Sequence, residues 1–187
     1  ERMAVIEGAD VARDNDTGMA AVTAAMLALV KAGDHVVSSR ALFGSCRYVI
    51  ETLMPKFGVE FTLVDGADHD AWKAAFRPDT VAVFLETPAN PTLDVVDIQF
   101  VCDLAHKHGA VVVVDNVFAT PVLQRPIELG ADVVIYSDNK HICFLYTSDA
   151  DDDVTRVDIG GTRIGHKNDQ HDSHMCGTCT HKAINTM

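Results

Sequence analysis

Two side chains that could contact a ligand follow apolar runs in the second half of the chain. Asp115 ends the run 111–114, and Lys140, 25 residues later, follows the run 133–136. Near-continuous apolar runs of this length predict parallel strands that are covered on both faces. The carboxyl ends of such strands open onto a common ligand crevice, so Asp115 and Lys140 could meet at one ligand. Taken singly, they could equally be a turn former and a solvated loop lysine.

Three further segments carry groups that could contact the same ligand. Residues 17–19, Thr-Gly-Met, begin a predicted helix, whose free N–H groups and positive dipole end favour an anion such as phosphate. Phe43 follows a predicted strand and could stack on a planar ligand. Asn90 lies between two prolines in a stiff loop, where its amide could donate to a ligand oxygen. The alternatives are ordinary helix capping, a core phenylalanine and a turn-forming asparagine.

The elements that must position these groups alternate along the chain. Apolar periodicity predicts strands at 35–39, 59–64, 81–86, 111–114 and 133–136, and helices at 18–31, 44–57, 70–76 and 97–108. An unbroken alternation of strand and helix is typical of a doubly wound, mostly parallel α/β sheet with helices on both faces. We therefore predict one α/β domain, or most of one, with the candidate residues at strand ends.

Composition narrows the class of partner. The chain has 187 residues, is 48% hydrophobic and carries a formal net charge of −12. An acidic balance of this size disfavours a nucleic-acid or membrane-surface role, which needs clustered lysine and arginine. No apolar run approaches the roughly 20 residues that span a bilayer, and the first residues lack a signal-peptide plan. We expect a cytoplasmic protein whose partners are small molecules or proteins, with no nucleic acid and no membrane.

The five cysteines do not suggest a disulfide framework. Cys46, Cys102 and Cys143 lie in apolar-patterned segments, which predicts buried thiols. Cys176 and Cys179 lie near three histidines, but a structural zinc site needs four ligands held by a folded frame. That part of the sequence shows no such frame. We therefore predict no metal.

The candidate motifs together resemble one family, the transsulfuration group of pyridoxal-phosphate-dependent enzymes, which have the aspartate-aminotransferase fold. The matching segments are 17–19 (Thr-Gly-Met), 43–44 (Phe-Gly), 86–91 (Glu-Thr-Pro-Ala-Asn-Pro), 114–118 (Val-Asp-Asn-Val-Phe) and the lysine segment 137–141. They occur in the order and spacing of the family. The resemblance implies a three-layer αβα large domain with a mostly parallel sheet, and pyridoxal 5'-phosphate as the cofactor.

The resemblance also implies a role for each residue around the cofactor ring. Lys140 would hold the cofactor covalently and later carry protons between substrate carbons. Asp115 would pair with the ring nitrogen and keep it protonated, so that the ring can accept electrons. Phe43 would stack on the ring, and Asn90 would bond to the ring hydroxyl.

The phosphate seat implied by the resemblance consists of Thr17, Gly18, Met19 and Ser137, with the Gly18 and Met19 N–H groups as donors. This chain departs from the family here. It has Ser-Asp-Asn-Lys at 137–140 where the family usually has Ser-Ala-Thr-Lys, so a hydroxyl is missing and a negative charge lies near a phosphate. Residues 14–16, Asp-Asn-Asp, likewise precede the phosphate seat where uncharged residues are usual. We expect weaker cofactor binding or errors in the sequence.

Within the family, the chain is most similar to the O-succinylhomoserine sulfhydrylases, which have phenylalanine where Phe43 stands and tyrosine is common elsewhere. The implied reaction is replacement at the γ-carbon of an O-acylated homoserine by sulfide, giving homocysteine for methionine biosynthesis. The alternatives are a cystathionine γ-synthase or γ-lyase type of activity, or a non-catalytic α/β ligand-binding domain. Neither the acyl group nor the sulfur donor follows from the sequence.

The resemblance covers only part of the chain. We predict that residues 1–141 are a truncated large domain, and that 142–187 are a non-family tail, either disordered or read through from a sequencing adapter. The family forms homo-oligomers, tetramers built from two dimers. Because the substrate-binding arginine of the family has no counterpart in this chain, we expect cofactor binding without turnover.

Overall fold

A seven-stranded sheet organises the molecule. The computed structural model describes residues 2–137, 140, 157–159, 162–164 and 177–181, with side chains described for 3–137 and 140. The strands are β1 (Val11–Asn15), β2 (His35–Ser39), β3 (Glu60–Val64), β4 (Thr80–Glu86), β5 (Val111–Asp115), β6 (Val133–Ser137), β7 (Val157–Ile159), β8 (Thr162–Ile164) and β9 (Gly177–His181). The sheet order is β1-β9-β6-β5-β4-β2-β3, while β7 and β8 form a separate antiparallel pair.

The centre of the sheet is parallel, as predicted. Strands β2 to β6 pair in parallel, and β9 lies antiparallel between β1 and β6. The chain goes outward from β2 to β3 and then returns to place β4 on the other side of β2. The order of strands therefore reverses between β2 and β4. In sheets of this type a ligand crevice forms beyond the carboxyl ends of the strands at such a reversal.

Helices cover both faces of the sheet, so the architecture is the predicted three-layer αβα fold. The helices are α1 (Arg2–Glu7), α2 (Gly18–Leu29), α3 (Gly44–Tyr48), α4 (Met54–Lys56), α5 (His69–Ala75), α6 (Ile98–Lys107) and α7 (Thr120–Leu123). One core packs Trp72 and Val101, from α5 and α6, against the sheet. The other packs Met26 and Ile50 from the opposite side. Among the described residues, no helix is long and apolar enough to cross a membrane.

The helix predicted at 44–57 is interrupted. Between α3 and α4 the chain makes a π-helical turn, Val49–Leu53. Pro55 follows within two residues, and its ring nitrogen has no hydrogen to donate to the carbonyl of Glu51. The Met54 N–H, just ahead of the proline, bonds to the Val49 carbonyl five residues back, which is the π-helical spacing. The apolar spacing alone did not reveal the interruption.

The first 17 residues and the tail hold elements that the sequence did not predict. Helix α1 and strand β1 precede the first predicted helix, and β1 carries Arg13 and Asp14, which hide its strand pattern. Within the tail, the structure describes strands at 157–159, 162–164 and 177–181. Strand β9 inserts between β1 and β6, pairing with both. The boundary at 141 and the read-through origin of the tail stay predictions.

Candidate active site

Three polar side chains end neighbouring strands on one face of the sheet. Glu86 ends β4, Asp115 ends β5 and Ser137 ends β6. Glu86 and Asp115 are direct partners in the register of β4 and β5. Because side chains alternate along a strand, these three lie on the same face as Phe84, Val113 and Ile135, where α2 and α3 pack.

A cavity of about 390 Å³ opens at these strand ends. Its wall contains all eight residues predicted from the sequence: Thr17, Gly18, Met19, Phe43, Asn90, Asp115, Ser137 and Lys140. Residues from four strand ends and one helix start therefore converge on one space. The individual roles assigned to them stay predictions.

The start of α2 forms one wall of the cavity. Thr17 caps this helix, because its hydroxyl oxygen accepts a hydrogen bond from the Ala20 N–H at 2.9 Å. The first N–H groups of an α-helix have no acceptor within the helix, so they can bind an anion. A Cβ atom on Gly18 would lie 3.1 Å from both Cβ and Oγ of Ser137. Glycine is therefore what lets the helix start approach the end of β6.

Asp115 is a buried carboxylate in the cavity wall. Its exposed fraction is 7%. Its Oδ1 accepts from the Val117 N–H at 3.0 Å, and its Oδ2 accepts from the Cys46 thiol at 3.6 Å. Burial raises the pKa of Asp115 to about 6, although these two hydrogen bonds favour the ionised form. A cationic group bound beside this carboxylate would offset its lost hydration.

Glu86 is a site residue that the sequence reasoning missed. It is 4% exposed and lines the same cavity. Its two carboxylate oxygens accept from the backbone N–H groups of Phe43 and Asn90. Burial and the neighbouring Asp115 raise the pKa of Glu86 to about 7. One signal was available: Glu86 ends its strand as Asp115 ends the next one.

Cys46 is a second residue whose place in the site was missed. The thiol is buried, as predicted, but it lies in the cavity wall and donates to Asp115. Burial, with the charges of Asp115 and Glu86, raises the pKa of Cys46 far above its usual range. The group therefore remains a protonated thiol and acts as a weak hydrogen-bond donor to the carboxylate.

Phe43, Asn90 and Lys140 border the open part of the cavity. The Phe43 side chain is 45% exposed, so it does not belong to the core, which was the alternative for this residue. Asn90 lies in a loop that contains cis peptide bonds at Thr87–Pro88 and Asn90–Pro91. Lys140 is exposed, and its backbone N–H donates to the Ser137 carbonyl at 3.0 Å. The departure predicted at Asp138 lies outside the described residues.

The metal prediction can be examined only for the described side chains. Among these, no group of three or more histidine, cysteine, aspartate and glutamate side chains could hold a metal ion. The candidate ligands Cys176 and Cys179 and the histidines near them fall outside those side chains.

The comparisons with known proteins identify the family. A model of the Cys/Met metabolism PLP-dependent enzymes matches residues 1–143. The chain belongs to this family. Over 142 residues it is 51% identical to an O-succinylhomoserine sulfhydrylase of Mycobacterium tuberculosis, which spans 76% of this chain and 35% of that protein. Over 143 residues it is 44% identical to an L-methionine gamma-lyase of Porphyromonas gingivalis, which spans 76% of this chain and 36% of that protein.

Solved structures give the same result. The metB protein of Corynebacterium glutamicum matches with a TM-score of 0.78 and 33% identity, over 96% of this chain and 40% of that one. An O-acetylhomoserine (thiol)-lyase, metY, of Campylobacter jejuni matches with a TM-score of 0.78 and 28% identity, over 97% and 38%. That structure contains N'-pyridoxyl-lysine-5'-monophosphate. The chain thus spans about a third of the length of the curated relatives that it matches.

The site fits the family's cofactor, pyridoxal 5'-phosphate. A buried carboxylate, Asp115, suits a protonated ring nitrogen. The helix start at Gly18 suits a phosphate group, and a Cβ at this position would lie 3.1 Å from the Ser137 side chain. Lys140 supplies an amine at the same cavity. The predicted family, fold and cofactor are confirmed.

Proposed function

We propose that this chain is part of an enzyme that replaces the γ-substituent of an O-acylated homoserine, with O-succinylhomoserine and sulfide as the substrates and homocysteine as the product. The 51% identity to an O-succinylhomoserine sulfhydrylase supports this substrate class. The observation that most supports a catalytic role is the convergence of Lys140 and Asp115 on one cavity of about 390 Å³.

The residues of the cavity have separate roles in binding the cofactor and in catalysis. The bound cofactor supplies an electron-accepting ring that stabilises the charge left when a substrate C–H bond breaks. Asp115 would hold the ring nitrogen in its protonated form. Lys140 would hold the cofactor covalently until the substrate amine displaces it, and the freed amine would then carry protons between substrate carbons. Phe43 would stack on the ring, while the amide of Asn90 would donate to the ring oxygen.

The remaining contacts fix the cofactor in place. The N–H groups of Gly18 and Met19 bind the phosphate, with Thr17 capping the helix that carries them and Ser137 beside it. Positioning of this kind can lower a barrier by roughly 7 to 11 kcal/mol. The same contacts would serve replacement and elimination, so they support the cofactor more strongly than the reaction type.

A covalent adduct tests this proposal. The purified chain is mixed with pyridoxal phosphate, reduced with borohydride and digested, and the modified peptide is identified by mass spectrometry. We expect the adduct at Lys140, and its loss in Lys140→Ala. Lys107→Ala, which removes a lysine from the last turn of α6, is the matched control and should keep the adduct. An adduct that persists in Lys140→Ala would assign the chemistry to another lysine.

Methionine γ-elimination is the second candidate, because a relative at 44% identity is an L-methionine gamma-lyase. Substrate binding separates the two reactions. We expect O-succinylhomoserine to change the visible spectrum of the cofactor-loaded chain at a lower concentration than methionine does. The reverse order would favour the lyase.

We also propose a cytoplasmic homo-oligomer. Large apolar side chains stand out from the surface at Val95, Val122 and Leu123, which are 65%, 87% and 83% exposed. Apolar groups this exposed are common where a second subunit packs. Sedimentation velocity should give a mass of at least two chains, whereas a single 20.2 kDa species would contradict the assembly.

A further inference from the structure

Glu86 connects two loops that come from different strands. One oxygen of its carboxylate accepts from the N–H of Phe43, in the loop after β2, and the other accepts from the N–H of Asn90, at 2.9 Å, in the loop after β4. The order of strands reverses between β2 and β4. Glu86 therefore bridges the crevice at the point where the sheet opens to a ligand.

We propose that Glu86 is a positioning residue that holds the Phe43 and Asn90 loops in the geometry needed to bind the cofactor ring from its face and its edge. This rests on the function proposed above. Glu86 acts through the two backbone N–H groups, and no contact of its own with the cofactor is required.

The Phe43 loop needs such an anchor. The Phe43 ring is 45% exposed, so packing in the core does not fix its position. Phe43 also stands at the N-cap of α3, and its side chain makes no capping hydrogen bond. The carboxylate of Glu86 meets the N–H of this residue and lies at the positive end of the helix, where a negative charge is favourable.

The loop that carries Asn90 is held together by its own hydrogen bonds. Within it the Ala89 N–H donates to the Asp94 carbonyl at 2.9 Å, and the Leu93 N–H donates to the Ala89 carbonyl at 2.7 Å. The Val96 N–H donates to the Thr87 hydroxyl at 2.9 Å. Because the loop is tied to itself in this way, fixing the N–H of Asn90 orients the whole loop relative to the cavity.

The two hydrogen bonds require a side chain with two acceptor oxygens. Glutamine has one carbonyl oxygen, so in Glu86→Gln one of the two N–H groups would face an NH₂ group and lose its acceptor. The groups that face Glu86 are the Asp115 carboxylate, on the next strand, and the Cys46 thiol.

Amide exchange followed by NMR tests, without the cofactor, the clamp formed by the two hydrogen bonds from the Phe43 and Asn90 N–H groups to Glu86. In Glu86→Gln the amides of Phe43 and Asn90 should exchange faster, by about tenfold for at least one of them, because a hydrogen bond to a charged acceptor is lost. Glu128→Gln makes the same change on an exposed carboxylate that pairs with Arg125, and it should leave both amides unchanged. Unchanged exchange of both amides in Glu86→Gln would overturn the proposal.

A second measurement uses the wild-type chain and so does not depend on how a variant folds. The amide proton shifts of Phe43 and Asn90 should change together as Glu86 titrates, with one midpoint near pH 7. Two unrelated midpoints, or none between pH 5 and pH 9, would contradict a common acceptor.

Cofactor binding completes the test. The dissociation constant for pyridoxal phosphate should rise about tenfold in Glu86→Gln and stay constant in Glu128→Gln. Faster exchange with an unchanged dissociation constant would show that the clamp serves folding alone and would overturn the positioning role. If the wild-type chain does not bind pyridoxal phosphate, the proposed function fails, and the two NMR measurements still decide whether Glu86 joins the loops.

Discussion

The pH dependence of stability tests the buried pair formed by Glu86 and Asp115. Burial, with the charge of Asp115, raises the pKa of Glu86 from its ordinary 4.5 to about 7, and burial raises that of Asp115 from 3.8 to about 6. Between the ordinary and the raised value the folded chain holds a proton that the unfolded chain has released. Stability must therefore fall as the pH rises through this window.

The magnitude follows from the size of the shifts. Moving from pH 5 to pH 8 should cost about 2 to 3 kcal/mol through Glu86 and about 1 kcal/mol through Asp115. His35 acts in the opposite direction, because burial lowers its pKa and the unfolded chain takes up a proton first as the pH falls. In the wild-type chain alone, the change in the free energy of unfolding with pH would therefore combine contributions of opposite sign.

A difference between two chains removes this complication. Free energies of unfolding would be measured by urea titration at pH 5 and pH 8, in wild type and in Glu86→Gln, which contain the same His35. The loss of stability from pH 5 to pH 8 should be about 2 to 3 kcal/mol smaller in the variant. Glu128→Gln, on the surface, should retain the wild-type dependence. Equal losses in wild type and Glu86→Gln would refute a raised pKa at Glu86.

Two further substitutions test other contacts of the site and its support. Gly18→Ala should raise the dissociation constant for pyridoxal phosphate about tenfold, because the added Cβ would lie 3.1 Å from the Ser137 side chain. The control is Gly44→Ala, whose added Cβ would have nothing within 4 Å and should leave the dissociation constant unchanged. Equal effects of the two substitutions would refute the close approach at Gly18. Tyr136→Phe should lower the free energy of unfolding in urea by about 1 to 3 kcal/mol, because the hydroxyl donates to the buried Glu7 carboxylate at 2.6 Å; no loss would refute this pairing.

The parallel core could be predicted because strands that are buried on both faces have near-continuous apolar sequences. The valines of β5 and the apolar start of β6 identify two strands, and each is followed by a polar residue where the strand leaves the core. The edge could not be predicted in this way. Strand β1 is only partly buried, and Arg13 and Asp14 are both exposed, so no apolar run marks it.

The location of the candidate site could also be predicted, because it depends only on strand ends. Once the strands are parallel, their carboxyl ends share an edge, and the residues that follow them must lie near one another. Phe43 and Asp115, which follow two predicted strands, were predicted to share one crevice, and they line the same cavity. To predict that residues at these strand ends lie close together, it is enough to know that the strands are parallel; their exact register is not needed.

Glu86 shows what such reasoning leaves out. Its role depends on the register that pairs it with Asp115 and on two backbone N–H groups, and neither has a sequence signature. Two adjacent buried carboxylates raise the free energy of the folded chain at neutral pH. The fold alone gives no reason to keep them, since an apolar pair would pack at no such cost. A cation bound at Asp115 and two loops anchored on Glu86 would supply that reason, so the pair is better explained by ligand binding than by stability.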